Sequence, residues 1–245
     1  MKANIPKGIF IAGTDTDVGK TVVTAALACC IRNSGNSVAA VKPFQTGTEE
    51  EGLLDIEFIY KVLGLPFEMN DVCPVRLSKP LSPYSAAMQE NKEINILSIV
   101  SPLKEKFLTS EGTTLFEGAG GLMVPITKNY FMSDFAKDMG LPVIIVARPG
   151  LGTLNHTLLS IEHAKKKGLQ ILGIVISNYP SNPDLAESLN IAAINKLTEV
   201  EIVGVIPSID GVDVQNGLTE NLAENSQEFF VNSLGGKLNL DNFLT

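Results

Sequence analysis

A nine-residue stretch at positions 13–21, GTDTDVGKT, constrains the fold of this chain more than any other segment. The apolar run before it, residues 8–12, predicts a short buried strand, and residues 22–32 after it predict a helix opened by Thr21. A turn between a strand and a helix directs backbone N–H groups at one point, at the positive end of the helix dipole. The stretch therefore predicts a polyphosphate-binding loop.

The loop departs by one position from the usual phosphate-loop pattern, which has about four residues between its first glycine and Gly-Lys-Ser/Thr. Here five residues separate Gly13 from Gly19, and Thr14 occupies the place of the first glycine. In such a loop Lys20 reaches the β- and γ-phosphates, and the Thr21 hydroxyl ligates Mg²⁺. A turn with no ligand would not need Gly-Lys-Thr at the start of a helix, so we expect a nucleotide here.

The composition fits one large α/β domain over residues 1–245, with 44% hydrophobic and 19% charged residues. No window of about 18 apolar residues exists and no charged-then-apolar leader is found, so we expect no membrane association. A net charge of −8 and the absence of tryptophan argue against nucleic acid as a main partner. Cys29, Cys30 and Cys73 lack metal-ligand spacing, and free thiols indicate a cytoplasmic protein.

Short runs of β-branched residues alternate along the chain with segments of helical spacing. This alternation predicts βα units and a mostly parallel central sheet with helices on both faces, an α/β fold like that of P-loop NTPases. Further strands are predicted at residues 37–41, 113–116, 141–147, 172–177 and 202–207. Further helices are predicted at residues 55–63, 85–88, 94–108, 132–139, 157–167 and 185–197, with a short one over 238–244.

The carboxyl ends of the strands in an open α/β sheet are where ligands bind. The polar and charged residues that follow the predicted strands are Lys20, Thr21, Lys42, Thr46, Glu117, Asn155 and Asn178. Glu117 precedes Gly-Ala-Gly-Gly, and a carboxylate at that point is placed to bind Mg²⁺. Asp55, at a predicted helix start, is a second candidate metal ligand, and Lys42 could hold an anionic oxygen of a transferring group.

Each of these candidates has an ordinary structural alternative. Glu117 could serve a turn or a helix cap, Asp55 could be an N-cap, and Lys42 could be a solvated lysine. Asp15 and Asp17 could face a cationic substrate such as an amine, or could simply suit the helix dipole.

Two other combinations of residue types indicate no catalytic or metal site. His156 and His163 are seven residues apart with no third metal ligand nearby, which is typical of core or surface residues. Ser82 and Ser85 have no base partner at a recognisable spacing, so a hydrolase triad is not predicted.

Seven pieces of sequence, in order over residues 8–207, together resemble the dethiobiotin synthetase family. They are GTDTDVGKT (13–21), KPFQTG (42–47), Ser-Pro (82–83), EGAGG (117–121), GTLNH (152–156), Asn178 and GVIP (204–207). The first, second and fourth pieces are highly specific in combination, whereas each alone is not.

The resemblance implies an ATP- and Mg²⁺-dependent ligase of biotin biosynthesis that makes dethiobiotin from 7,8-diaminononanoate and CO₂. An amine and CO₂ give a carbamate, whose oxygen attacks the γ-phosphate in line to form a carbamic–phosphoric anhydride. The second amine then attacks the carbonyl carbon and expels phosphate. Such chemistry depends on positioning and charge stabilisation, without an enzyme nucleophile. The family also implies a homodimer.

The same resemblance assigns roles to residues of this chain. Lys20 and Lys42 would be catalytic, stabilising γ-phosphate and carbamate oxygens, and Thr21, Asp55 and Glu117 would hold Mg²⁺. The nucleotide would be bound by Asp15, Thr16, Asp17, Val18, Gly19, Lys20 and Thr21, with Asn178 and Pro207 at the adenine. The substrate would be bound by Thr16, Lys42, Thr46 and Gly118, and by Gly152, Leu154 and Asn155 of the neighbouring subunit. Thr46 stands where the family commonly has serine, and Asp17 where glutamate is frequent.

Two competing functions fit this fold class less well. An amidotransferase-type synthetase carries an extra glutaminase domain with a nucleophilic cysteine, for which this chain is too short. A nucleotide-switch ATPase of the partition or septum-positioning type has a second lysine early in its phosphate loop, where this chain has Asp15. Such proteins also carry a basic amphipathic C-terminal helix, which this sequence lacks.

Overall fold

The computed structural model describes residues 6–232 and 236–239. Within that part of the chain, every helix is too short or too polar to cross a membrane. The short helix predicted over residues 238–244 lies largely outside the described residues. The prediction of a single domain over residues 1–245 stays a prediction.

A parallel sheet forms the centre of the molecule. The strands are β1 (Gly8–Gly13), β2 (Val38–Val41), β3 (Phe44–Gln45), β4 (Val75–Arg76), β5 (Thr113–Gly121), β6 (Pro125–Thr127), β7 (Tyr130–Phe131), β8 (Val143–Ala147), β9 (Ile171–Tyr179) and β10 (Ile202–Pro207). Six of them form the main sheet of the described residues, in the order β10-β9-β8-β1-β5-β2, and every pairing in it is parallel. Strands β3 and β4 form a small parallel pair, and β6 and β7 a small antiparallel pair.

The central strands are buried along their whole length. All residues of β1 and β8 are buried, and their sequences GIFIAG and VIIVA are nearly continuous apolar runs. A strand needs such a run when both faces of its sheet are covered, as they are by the crossover helices of βα units. The predicted α/β, P-loop NTPase-like fold is therefore confirmed.

Nine α-helices lie in the described residues, and most of them connect these strands. They are α1 (Lys20–Asn33), α2 (Asp55–Leu63), α3 (Met69–Val72), α4 (Pro83–Gln89), α5 (Leu97–Leu103), α6 (Met132–Met139), α7 (Thr153–Lys167), α8 (Leu185–Leu197) and α9 (Ser226–Phe230). Helix α2 has the predicted bounds and ends at Gly64, whose φ of 61° is left-handed. The thiols of Cys29, Cys30 and Cys73 are free, as predicted, and all three are buried.

Several predicted boundaries are wrong, for identifiable reasons. The helix predicted over 94–108 is α5 followed by a π-helical segment, Lys104–Leu108, after Pro102 removes a backbone donor. Strand β5 continues four residues past Glu117 because it pairs with β1 as far as Gly121. Strand β9 includes Asn178 instead of ending there.

Helix α7 begins at Thr153, so residues 153–156 are helical where a loop was predicted. Gly152 has a left-handed φ of 94° and acts as the N-cap residue of this earlier start.

Near the C-terminal end of the described residues, the segment 226–230 packs onto the main sheet. Helix α9 lies against α1 and β10, and Phe230 is fully buried. Gly204 makes room for this ring, because a Cβ there would lie 2.7 Å from Phe230 Cδ1. The segment is thus part of the core.

Candidate functional site

The loop between β1 and α1 wraps around the ammonium group of Lys20. Lys20 Nζ donates a hydrogen bond to the Asp15 carbonyl oxygen at 3.0 Å. Gly13 permits this close wrapping, because a Cβ there would lie 2.5 Å from that carbonyl oxygen and 2.9 Å from Nζ. Asp17 and Gly19 both have positive φ, 54° and 87°, which turns the chain into α1. The strand–loop–helix context predicted from the sequence is therefore present.

Burial changes the acidity of Lys20. Desolvation, with repulsion from Lys42 as a second cause, lowers the pKa of Lys20 to about 8. The charged form of Lys20 is thus disfavoured by its surroundings, and an anionic ligand at the loop would stabilise it.

Lys42 lies between two carboxylates. Its Nζ is 2.7 Å from Asp55 Oδ2 and 2.6 Å from Glu117 Oε1. The exposed fractions of the three side chains are 5% for Lys42, 29% for Asp55 and 1% for Glu117. A solvated lysine is thereby excluded for Lys42, and Glu117 lies within strand β5 instead of in a turn or at a helix cap.

The ion pairs in this cluster shift the pKa values of Lys42 and Asp55. Burial by itself would lower the pKa of Lys42, but attraction to Asp55 and Glu117 outweighs it and raises the pKa. Burial by itself would raise the pKa of Asp55, but the ion pair with Lys42 outweighs it and lowers the pKa. Both groups are therefore charged at neutral pH.

Glu117 has one oxygen left over. Its Oε1 accepts from Lys42 and from the Thr21 hydroxyl, at 3.0 Å, whereas its Oε2 is buried with no hydrogen-bond partner among the described residues. An unpaired buried carboxylate oxygen beside a hydroxyl fits a divalent cation with a preference for oxygen ligands. The predicted metal residues Thr21, Asp55 and Glu117 thus meet in one place and fit Mg²⁺.

No group of three or more His, Cys, Asp or Glu side chains suited to a metal occurs in the described part of the chain. Mg²⁺ usually binds through one or two carboxylates together with waters and phosphates of the substrate, so this finding agrees with the donor set above. His163 lies instead with Nε2 2.9 Å from Ser133 Oγ, and Ser82 caps α4 by accepting from the Ser85 amide.

Two cavities border the phosphate loop. The larger, of about 440 Å³, contains in its wall all of the predicted catalytic and metal residues and some of the predicted nucleotide and substrate residues: Thr16, Asp17, Gly19, Lys20, Thr21, Lys42, Thr46, Asp55 and Glu117. The smaller, of about 150 Å³, is lined by Asn178 and Pro207. Asp17, Gly19 and Val22 line both cavities.

Other predicted residues lie outside both cavities. Val18 is buried behind the loop, and the Asp15 side chain accepts from the Thr16 amide at 2.8 Å. The carbonyl oxygen of Gly118 lies 3.4 Å from Lys42 Nζ.

Gly152, Leu154 and Asn155 also lie outside both cavities, at the start of α7. Arg148 connects that region to the phosphate loop, since its guanidinium lies 3.8 Å from Asp15 Oδ2 and 3.4 Å from His156 Nδ1.

The structure adds wall residues that the sequence reasoning missed. Gln45, Glu50 and Glu51 line the larger cavity. Residues 209–215 border both cavities, and the Leu53 amide donates to the Gln215 carbonyl oxygen at 2.8 Å. Gln45 lies inside the quoted motif KPFQTG, which was a signal for it, whereas residues 209–215 carry no periodic pattern that could have indicated their position.

Comparison with known proteins extends these observations. A family model described as an AAA domain matches residues 7–216. The ATP-dependent dethiobiotin synthetase BioD of Bacillus velezensis is 37% identical over 213 residues, which are 86% of this chain and 90% of that protein. The protein of the same name from Endomicrobium trichonymphae is 38% identical over 80% of this chain and 91% of its own length.

Solved structures share the fold at low sequence identity. The MinC:MinD cell division protein complex of Aquifex aeolicus aligns with a TM-score of 0.56 and 16% identity, over 90% of this chain and 94% of that chain. A nucleotide-binding protein of Archaeoglobus fulgidus in complex with ADP aligns with a TM-score of 0.52 and 17% identity, over 100% and 90% of the two chains. These likenesses concern the fold alone.

Proposed function

The chain belongs to the dethiobiotin synthetase family, and on that premise we propose that it closes the ureido ring of dethiobiotin from 7,8-diaminononanoate, CO₂ and ATP. It is an ATP-dependent ligase of biotin biosynthesis. The observation that carries the proposal is the cluster of Lys20, Lys42, Asp55 and Glu117 in the wall of one cavity beside the phosphate loop. The lysines of this cluster can bind an anionic reactant, and its carboxylates can bind a cationic one.

Each of the two lysines stabilises a different anionic group in this proposal. Lys20, enclosed by the loop, faces the transferring phosphoryl group, and Lys42 stabilises the carbamate oxygen that attacks it. Preorganised charges in a site shielded from water are worth several kcal/mol at a transition state. The carbamic–phosphoric anhydride then reacts with the second amine, and phosphate leaves. The chain needs no nucleophile of its own for this sequence, since catalysis is positioning and charge stabilisation.

Thr21, Asp55 and Glu117 would hold Mg²⁺. The ion would neutralise charge on the phosphates. The unpaired Glu117 Oε2 supports this assignment, because a buried carboxylate oxygen with no partner is costly unless a cation or donor reaches it.

The nucleotide lies across the phosphate loop in this proposal. Its phosphates meet residues 15–21, and its adenine enters the smaller cavity at Asn178 and Pro207. The assignment is supported by the position of Asn178 and Pro207 together in the wall of that cavity.

We propose that the diamine end binds at Thr16, Thr46 and Gly118, and that the active form is a cytoplasmic homodimer. In that dimer Gly152, Leu154 and Asn155 receive the substrate carboxylate from the neighbouring subunit.

The nucleotide-switch alternative has no comparable support. The MinC:MinD complex matches at 16% identity, which concerns only the fold.

One assay tests the proposal. Purified protein incubated with diaminononanoate, bicarbonate, Mg²⁺ and ATP is expected to release ADP, phosphate and dethiobiotin in equal amounts. Omitting the diamine is expected to stop ATP consumption. ATP hydrolysis at the same rate without the diamine would refute the ligase function and favour the switch.

A further inference from the structure

Gln45 is a nearly buried glutamine in the wall of the larger cavity, with 8% of its surface exposed. Its backbone is held by pairing of β3 with β4, where the Leu77 amide donates to the Gln45 carbonyl oxygen at 2.9 Å. Its side-chain Nε2 donates to the Thr46 carbonyl oxygen at 3.1 Å. These contacts fix the orientation of the side-chain amide, and its oxygen Oε1 remains available as an acceptor.

That oxygen lacks a donor. Among the described residues, the buried side-chain polar atoms without a hydrogen-bond partner are Thr14 Oγ1, Gln45 Oε1 and Glu117 Oε2. Glu117 is accounted for by the proposed metal, and Thr14 does not line either cavity. Leaving a buried amide oxygen unpaired is unfavourable, and a ligand that supplies an N–H removes the cost.

The charges of the cavity wall indicate which ligand group supplies the N–H. Five carboxylates line this cavity, those of Asp17, Glu50, Glu51, Asp55 and Glu117. The wall also contains two lysines. Lys20 is hydrogen-bonded within the phosphate loop, and Lys42 is paired with Asp55 and Glu117. An acidic wall with a neutral acceptor attracts an amino or ammonium group and disfavours a carboxylate.

We propose that Gln45 is a specificity-determining residue whose Oε1 accepts a hydrogen bond from an amino group of the substrate. This inference rests on the proposed function and adds a residue to the substrate site. An acceptor of this kind recognises the amino groups of the diamine and not its aliphatic chain. Sites built to pair with a polar substrate group reject analogues that lack the group, because the protein atom is then left unpaired.

The test replaces the amide with an apolar side chain of similar size, Gln45→Leu. The KM for diaminononanoate is expected to rise by about 10-fold or more, since a hydrogen bond to a charged group is worth that factor. The KM for ATP is expected to stay within about twofold, because the nucleotide does not touch this residue in the proposal. The melting temperature is expected to hold or rise, since the variant removes a buried unpaired oxygen.

Inhibition by substrate analogues separates the amino group from the chain. Against the wild type and Gln45→Leu, 7-aminononanoate, 8-aminononanoate and nonanoate are compared as competitive inhibitors. At least one amino compound is expected to lose affinity by about 10-fold in the variant, while nonanoate is unchanged. The exposed Gln170, distant in sequence and outside both cavities, provides the matched control, Gln170→Leu, which is expected to behave as the wild type.

Three results would overturn the inference. The first is an unchanged diamine KM in Gln45→Leu, and the second is an equal loss of affinity for nonanoate. The third is a large fall in melting temperature that accounts for the kinetic change, which would give Gln45 a structural role. Failure of the wild type to make dethiobiotin is a separate outcome, since it refutes the proposed function before any variant is compared.

Discussion

Replacing Lys42 with methionine tests the electrostatics of the site without nucleotide. The change removes the ammonium group that bridges Asp55 and Glu117 and leaves a side chain of similar length. Glu117 is 1% exposed and would keep only the Thr21 hydroxyl as a donor. Removing one partner of a buried ion pair costs about 3–5 kcal/mol. Because Asp55 is 29% exposed and partly solvated, we expect the lower end, about 3 kcal/mol.

Urea denaturation measures this loss directly. For a chain of this size, it corresponds to a fall in melting temperature of about 6–12 °C. The matched control is Lys79→Met, which breaks a pair with Glu49 at 3.1 Å whose side chains are 58% and 63% exposed. That variant is expected to unfold like the wild type, because exposed pairs are largely solvated.

Magnesium gives the second arm of the experiment. In the wild type the Lys42 ammonium occupies the space between the two carboxylates, so free Mg²⁺ has to compete with it. In Lys42→Met the carboxylates are available, and Mg²⁺ is expected to raise the melting temperature of the variant more than that of the wild type. A Lys42→Met protein as stable as Lys79→Met, or one stabilised by Mg²⁺ no more than the wild type, would refute this reasoning.

Three further predictions concern other parts of the molecule. Lys20→Ala is expected to lower kcat by at least about 10³-fold in the dethiobiotin assay, since it removes a charge at the phosphoryl group; near wild-type turnover would contradict the loop assignment. Cys29, whose pKa burial raises to about 11, is expected to react with a thiol reagent at pH 8 only as fast as the protein unfolds; rapid labelling of folded protein would count against this. Gly204→Ala is expected to destabilise the protein by about 1–3 kcal/mol in urea denaturation, because the new methyl group meets Phe230; an unchanged midpoint would disprove that contact.

Local patterns in the sequence predicted the phosphate loop well. Its strand, its glycines and its helix lie next to each other in the chain, so spacing alone indicates their geometry. The cluster of charged side chains beside the phosphate loop was predicted only in part. Lys42, Asp55 and Glu117 could be named because each lies at a strand or helix end, but their mutual contact depends on β5 lying between β1 and β2. The pattern of residues along the chain does not reveal the order of the strands in the sheet.

The parts that were missed depend on packing between distant segments. Residues 209–215 border both cavities through irregular backbone, for which periodicity carries no information. Gln45 was quoted only as part of a motif, because an unpaired oxygen becomes visible only when every neighbouring donor is known. The early start of α7 was missed because glycine favours both loops and helix caps, and only the φ of Gly152 decides between them.

The position of β1 in the sheet has a consequence for synthesis on the ribosome. This strand is made first, yet its partners are β5 and β8, which begin at residues 113 and 143. A nascent chain that has not reached residue 113 therefore exposes both edges of an apolar strand. Because domains tend to fold as units and unpaired edges aggregate, such chains depend on protection until β5 emerges. The phosphate loop, which follows β1 directly, therefore lacks this support until the chain has been translated through β5.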